Sequence, residues 1–184
     1  MRIRHLTTCA ALLGAACTPD RMPTADASCF GNRVLSFQDV TAEVLIPSGE
    51  SCDAGSFRIV FTRGADTLAT LEEQRLGTVG FIGTADVDGD GRGEFFVATQ
   101  ATDSTKQGAL FAYTESAGQV AAFPLAALDA AQLEGYGGAD RFGFGGGDQL
   151  VRAFPRGVAG DTAWFGYSHG ERRWQAIARP SWIR

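Results

Sequence analysis

Thr78-Val79-Gly80-Phe81-Ile82-Gly83-Thr84-Ala85-Asp86-Val87-Asp88-Gly89-Asp90-Gly91-Arg92-Gly93-Glu94-Phe95-Phe96-Val97-Ala98 sets a tight acidic loop between two apolar runs. The runs are short, rich in aromatic and β-branched residues, and bounded by glycine, which is the pattern of buried strands. Strand, loop and strand make this stretch a β unit, and the segments on either side read the same way. Ser56-Phe57-Arg58-Ile59-Val60-Phe61-Thr62-Arg63 alternates, with Phe57, Ile59 and Phe61 on one face and Arg58 on the other. That is a half-buried strand.

Further strands are expected at 33–37, 41–46, 108–114, 119–123, 141–144, 149–154, 163–167 and 171–177. Glycine-containing turns separate most of them. Leu68 to Leu76 is charged and fits a short helix or a loop. Pro124 to Gly135, rich in alanine and leucine, is the one good helix candidate. The acidic loop has no second copy, so no repeat array is expected. So many short strands predict a mainly β domain, an antiparallel β-sandwich or curled sheet with one short helix.

The chain of 184 residues is long enough for one domain with a real core. Its formal charge is −5; leaving out Arg2 and Arg4, the 14 remaining basic residues face 21 acidic ones, a charge of −7. Such a balance argues against nucleic acid, whose phosphates demand a basic face. No segment after residue 20 is long and apolar enough to span a bilayer as a helix.

The first residues read as a targeting segment. A basic head, Met1-Arg2-Ile3-Arg4, precedes an apolar small-residue run from Leu6 to Ala16 and then Cys17. The stretch resembles a bacterial lipoprotein signal, in which the cysteine after small residues is acylated, although the expected leucine sits one place early and Gly14 occupies its slot. The resemblance implies cleavage before a lipidated Cys17, and Thr18 after it implies the outer membrane. The alternative is an ordinary signal peptide cut near Ala16. The expected division is therefore a signal over residues 1–17, a flexible tether over 18–28 and a single β-rich domain over 29–184. Cys29 and Cys52 remain in the exported part. A disulfide between them closes a loop of 23 residues and stabilises by roughly 3 kcal/mol; two buried thiols are the alternative.

The acidic loop carries the most specific chemistry. Alternation aims Asp86, Asp88 and Asp90 one way, Gly91 permits the turn, the carbonyl of Arg92 offers another oxygen, and Glu94 closes the set. Ca²⁺ takes six to eight oxygens, often from alternate residues of such a loop. An EF-hand is excluded, since the residue where its closing glutamate belongs is Val97, within a strand. Four carboxylates in nine residues repel one another without a counter-ion. The competing reading is an empty acidic turn. No nucleophile or base lies within the loop, so a bound ion would staple the fold rather than catalyse.

Gly83 to Val97 resembles the FG-GAP/VCBS repeat of integrin-type propellers, whose loop binds Ca²⁺. Those domains carry several copies and this chain has one, so a propeller is not expected. A single unit followed by a strand pair in a small exported domain is similar to the periplasmic inhibitors of invertebrate-type lysozyme, over roughly residues 78–123. Those inhibitors place a Ser-Gly-x-x-Tyr loop in the lysozyme cleft. The corresponding stretch, Ala101 to Leu110, keeps Ser104 but neither the glycine nor the tyrosine. The resemblance implies a partner-binding segment at Asp103, Ser104, Lys106 and Gly108, positioned by the neighbouring calcium loop.

Other motifs weigh less. Gly166-Tyr167-Ser168-His169-Gly170 matches a nucleophile elbow, but no aspartate or histidine follows to complete a triad; a hairpin turn accounts for it. The Gly143–Gly147 run lacks the lysine of a phosphate loop. Trp164, Phe165, Tyr167 and Trp174 are expected in the core, with an aromatic partner patch as the alternative. Asp140, Arg141, Arg152 and Arg156 either pair across a hairpin or are solvated. The sequence therefore predicts no enzyme. It predicts a Ca²⁺-stabilised envelope lipoprotein or periplasmic binding domain, lysozyme-inhibitor-like in its sharpest form. Its partner would be a protein or cell-wall component. The alternatives are a structural or adhesion-type envelope module and, last, a hydrolase using the acidic loop or Ser168.

Overall fold

Phe57, Ile59 and Phe61 are buried while Arg58 is exposed, as the alternation of that strand requires. The computed structural model describes residues 33–157 and 160–181. Its strands are β1 (Arg33–Phe37), β2 (Val40–Leu45), β3 (Ala54–Arg63), β4 (Asp66–Leu76), β5 (Thr78–Ala85), β6 (Glu94–Gln100), β7 (Gly108–Ser116), β8 (Gln119–Ala122), β9 (Arg141–Phe144), β10 (Leu150–Arg156), β11 (Asp161–Ser168) and β12 (Arg173–Ala176). They form three antiparallel four-stranded sheets, β1-β2-β3-β4, β5-β6-β7-β8 and β9-β10-β11-β12, each taken in chain order. The first strands lie side by side, β1 against β5 and β5 against β9. One architectural unit is thus used three times, although its loops differ.

The middle sheet is covered on both faces. Every residue of β6 from Glu94 to Thr99 is buried. Its Phe95 and Val97 join Val44, Phe57, Ile59, Phe61 and Tyr113 in the core shared with the first sheet. Its Phe96 turns the other way, into the core shared with the third sheet, among Leu150, Phe154, Phe165, Tyr167 and Trp174. A near-continuous apolar run is what a strand buried on both faces needs. Rings meet edge to face across both interfaces, Phe61 against Phe95 at 5.4 Å and Phe96 against Phe144 at 5.7 Å between centroids.

Two expectations fail. Leu68 to Leu76 is neither helix nor loop; it belongs to β4, an edge strand paired to β3 along its length. Its inward positions include Glu73 and Arg75, so the alternation is not one of apolar residues. Arg75 is buried and satisfies itself on backbone, donating to the carbonyls of Ser51, Cys52, Ser56 and Gly77. Inward-pointing charge is a known way to blunt a sheet edge. Pro124 to Gly135 is not a helix either. Asp129 and Gln132 do form a reciprocal cap, each amide donating to the other's side chain at 2.9 and 2.8 Å. One turn follows, and it stops at Gly135 with φ of 72°. Upstream, the Pro124 and Ala126 carbonyls accept from Tyr167 Oη and Trp174 Nε1, at 3.2 and 2.8 Å, and Phe123 and Leu128 are buried. Tertiary partners take the backbone oxygens a helix would have used. Among the described residues the one helical element is a 3-10 turn, Gly146–Asp148.

Cys17 and Cys29, and with them the expected signal and tether, lie outside the described residues. Cys52 takes part in a disulfide, and its pairing with Cys29 stays an expectation.

Candidate functional site

The loop between β5 and β6 folds in on its own carboxylates. Asp86, Asp88 and Glu94 each bring an oxygen to within 4.8 Å of the others. Side chains cap the loop's amides: Val87 N donates to Glu94 Oε2 at 2.8 Å, Asp90 N to Asp88 Oδ1 at 3.1 Å, and Gly91 N to Asp86 Oδ2 at 3.0 Å. Gly89 and Gly91 have φ of 74° and 83°, a conformation that glycine adopts at no steric cost. Asp90 departs from the expected ligand set. Its two oxygens are taken by the amide and the guanidinium of Arg92. Burial pushes its carboxyl up, but the amide and guanidinium of Arg92 together hold it below the ordinary carboxylate range. The structure therefore gathers Asp86, Asp88 and Glu94 and leaves Asp90 with Arg92.

Glu94 is fully buried at the head of β6. Its oxygens accept from Val87 N and from the Thr114 hydroxyl, the latter at 3.2 Å. Burial pushes its carboxyl up to about 7 against the pull of the Val87 amide, and the neighbouring Asp88 adds to the push. Asp86 Oδ1 is buried and has no hydrogen-bond partner. A buried carboxylate oxygen without a donor is costly, and it fits a hard cation that protein groups have left room for. Three convergent carboxylates, one with an orphaned oxygen, suit Ca²⁺.

The first sheet clasps this loop. Gln38, in the β1–β2 turn, donates from Nε2 to the Gly91 carbonyl at 2.8 Å. Its φ of 51° is left-handed, which costs a non-glycine residue about 1 kcal/mol. Beside it the Phe37 ring covers Gly93, where any Cβ would overlap it. Below the clasp, Arg63 bridges Glu115 and Asp39 at 2.7 and 2.8 Å.

The predicted partner segment lies elsewhere. It joins β6 to β7, at the opposite end of β6 from the acidic loop. Seven residues of strand separate the two loops by about 20 Å. The acidic loop therefore does not position it. Three other contacts do. Gly108 N donates to Asp140 Oδ2 at 2.9 Å, Ala139 N donates to the Lys106 carbonyl at 2.7 Å, and the Thr102 hydroxyl donates to Asp53 Oδ1 at 2.6 Å. A Cβ on Gly138 would overlap the Thr105 carbonyl. Asp140 also accepts from Arg152 Nε at 2.6 Å and from the Tyr136 hydroxyl. Of the four basic or acidic residues considered around that hairpin, Asp140 and Arg152 pair, Arg156 donates to the Gln132 carbonyl at 3.0 Å, and Arg141 is exposed.

Between this loop and the end of β4 lies a cavity of about 560 Å³. Asp103 and Gly108 line it, together with Asp53, Gln74, Leu76 and Phe111, whereas Ser104 and Lys106 do not. Sequence reading missed Asp53, Gln74, Leu76, Asp140 and Gln38 as contributors, because each is brought in from another strand or sheet. The apparent nucleophile elbow is a hairpin turn, with Ser168 closing β11 and Arg172 N donating to the His169 carbonyl at 2.9 Å. Phe165, Tyr167 and Trp174 are buried in the second core and Trp164 is half-buried.

No protein-family model matches the chain, and no curated protein matches it. Among solved structures it is similar to a periplasmic lysozyme inhibitor of I-type lysozyme, PliI-Ah, from Aeromonas hydrophyla, with a TM-score of 0.47 and 19% sequence identity. The similarity covers 50% of this chain and 85% of that one.

Proposed function

We propose that the chain is a non-enzymatic binding domain of the cell envelope, lipid-anchored at the outer membrane or soluble in the periplasm. In this reading a Ca²⁺-held loop closes one end of its middle sheet and a groove at the other end receives a partner. The observation that carries it is the groove itself. It is open to solvent, its walls come from the first and middle sheets, and its loop is tied from the third. Such preorganisation lowers the cost of binding. The metal rests on the convergence of Asp86, Asp88 and Glu94 and on the orphaned oxygen of Asp86. When bound, Ca²⁺ supplies the positive charge those carboxylates lack. The sharpest form is a lysozyme-inhibitor-like role, supported by the resemblance of the strand-loop-strand and by the acidic charge of the chain. A turbidity assay of lysozyme activity with the purified domain tests it: inhibition is expected for an invertebrate-type enzyme. No effect on invertebrate-, chicken- or goose-type lysozyme at molar excess would remove that form. A structural or adhesion-type module would then be left.

A further inference from the structure

We infer that the groove between β4 and the β6–β7 loop takes the side chain of a lysine or arginine presented by a protein partner. The inference rests on the binding-domain reading and names what the groove recognises. Its floor is apolar. Phe111 and Ala109 come from β7, and Leu76, which is 73% exposed, comes from the end of β4. Leu76 and Val34 are the exposed large apolar residues among those described, so one of the two stands inside this groove. Apolar side chains combined with a few placed polar groups are the ordinary lining of a binding pocket.

The rim is acidic and built. Asp53 and Asp103 line it, and each has one oxygen fixed by a threonine. Thr102 Oγ1 donates to Asp53 Oδ1 at 2.6 Å, while Thr105 donates to Asp103 Oδ1 from its amide at 2.9 Å and its hydroxyl at 2.6 Å. The Thr105 bonds hold the Asp103 carboxyl below its ordinary value, so it is ionised at neutral pH. The amides of Gln74 and Gln107 add neutral donors and acceptors, and no lysine or arginine lines the cavity. Lys106 belongs to the same loop yet is not among the lining residues, so the rim's charge is not neutralised from within.

An occupant must match an apolar floor with a cation at the rim. A lysine or arginine side chain has that division: a methylene stem that packs on Leu76 and Phe111, and a charged head that donates to carboxylates. The groove loop is tied to the first sheet through Asp53 and to the third through Asp140, so the geometry exists before binding. The chain's formal charge of −5 draws a basic partner toward it.

The test is an amide-resolved NMR titration of the domain with the capped peptide Gly-Gly-Lys-Gly-Gly and its arginine counterpart. Saturable shifts confined to Asp53, Thr102 to Gly108 and Phe111 are expected, weakened at high salt. Asp53→Asn with Asp103→Asn should weaken binding about ten-fold, while the unchanged spectrum elsewhere verifies folding. Equal binding of the norleucine peptide would overturn the charge assignment. Shifts with a chito-oligosaccharide instead of the basic peptides would overturn it in favour of a sugar. Lysozyme inhibition that survives both substitutions would leave the binding reading standing and sink this one; no binding of any probe and no inhibition would sink both.

Discussion

The Asp140 carboxylate accepts the amide hydrogen of Gly108 at 2.9 Å, tying the segment before β9 to the first residue of β7. The contact is close enough that a Cβ on Gly108 would lie 2.7 Å from that of Asp140. The same carboxylate holds Arg152, whose guanidinium also lies 5.7 Å from the rings of Tyr136, Phe142 and Phe154. One side chain thus anchors the groove loop to the third sheet.

We predict that Asp140→Ala lowers stability by about 3 kcal/mol, since it leaves a largely buried guanidinium without its partner. Asp140→Asn should lose less. Hydrogen exchange should quicken selectively at 101–108 in the alanine variant. Unchanged exchange there would refute the anchor.

Chelation gives a second outcome. EDTA should lower the melting temperature of the purified domain and Ca²⁺ should restore it, by about 2.7 kcal/mol when the ion stands at a hundred times its Kd. Asp86→Asn and Glu94→Gln should abolish the response, whereas Asp90→Asn should reduce it less because Asp90 is committed to Arg92. A melting temperature indifferent to the ion in the parent chain would end the metal assignment.

Gln38→Ala removes the donor to the Gly91 carbonyl. A hydrogen bond of this kind contributes about 1 kcal/mol net, so Ca²⁺ affinity measured by calorimetry should fall about five-fold. Gly93→Ala is expected to be worse, by about 1–3 kcal/mol of stability, because its methyl meets the Phe37 ring. If Gln38→Ala binds Ca²⁺ as tightly as the parent, the clasp has no hold on the site.

Glu94 sets a pH dependence. Its carboxyl is raised to about 7 in the metal-free fold, above the ordinary value of 4.5. Between these values the native state keeps a proton that the unfolded chain has released, so metal-free stability falls as pH rises through the window. The loss is on the order of 3 kcal/mol. Calcium opposes the proton, so its affinity should weaken as pH drops below about 7. Melting curves with and without Ca²⁺ across that range should diverge upward in pH. Parallel curves would contradict the burial of an ionisable Glu94 at the site.

The strands were legible where one face of the chain carries the signal by itself. Phe57, Ile59 and Phe61 show this, and so does the unbroken apolar run of β6. β4 was not legible, because Glu73 and Arg75 occupy inward places and find their partners in other segments. Nor was the fate of 124–135. Its composition and its Asp129–Gln132 cap both favour helix, and only the carbonyl contacts made by Tyr167 and Trp174 overrule them. The carboxylates of the acidic loop are local and could be read. Gln38 and Gly91 are 53 residues apart, Gly108 and Asp140 32 apart, and no local pattern encodes either meeting.

The doubly covered middle sheet has a consequence for how the chain folds. Phe95 and Phe96 are consecutive residues whose rings enter different cores. Neither core is closed until a flanking sheet has docked, and each docking joins strands far apart in sequence. Chain-entropy cost is therefore met before most of the burial is gained, which slows folding. On a growing chain the first two sheets can pair while the third is still being synthesised. During that interval Phe96, Phe123 and Ala112 stand open to solvent. The aggregation hazard of this fold is concentrated there, in the delay before β9 to β12 arrive.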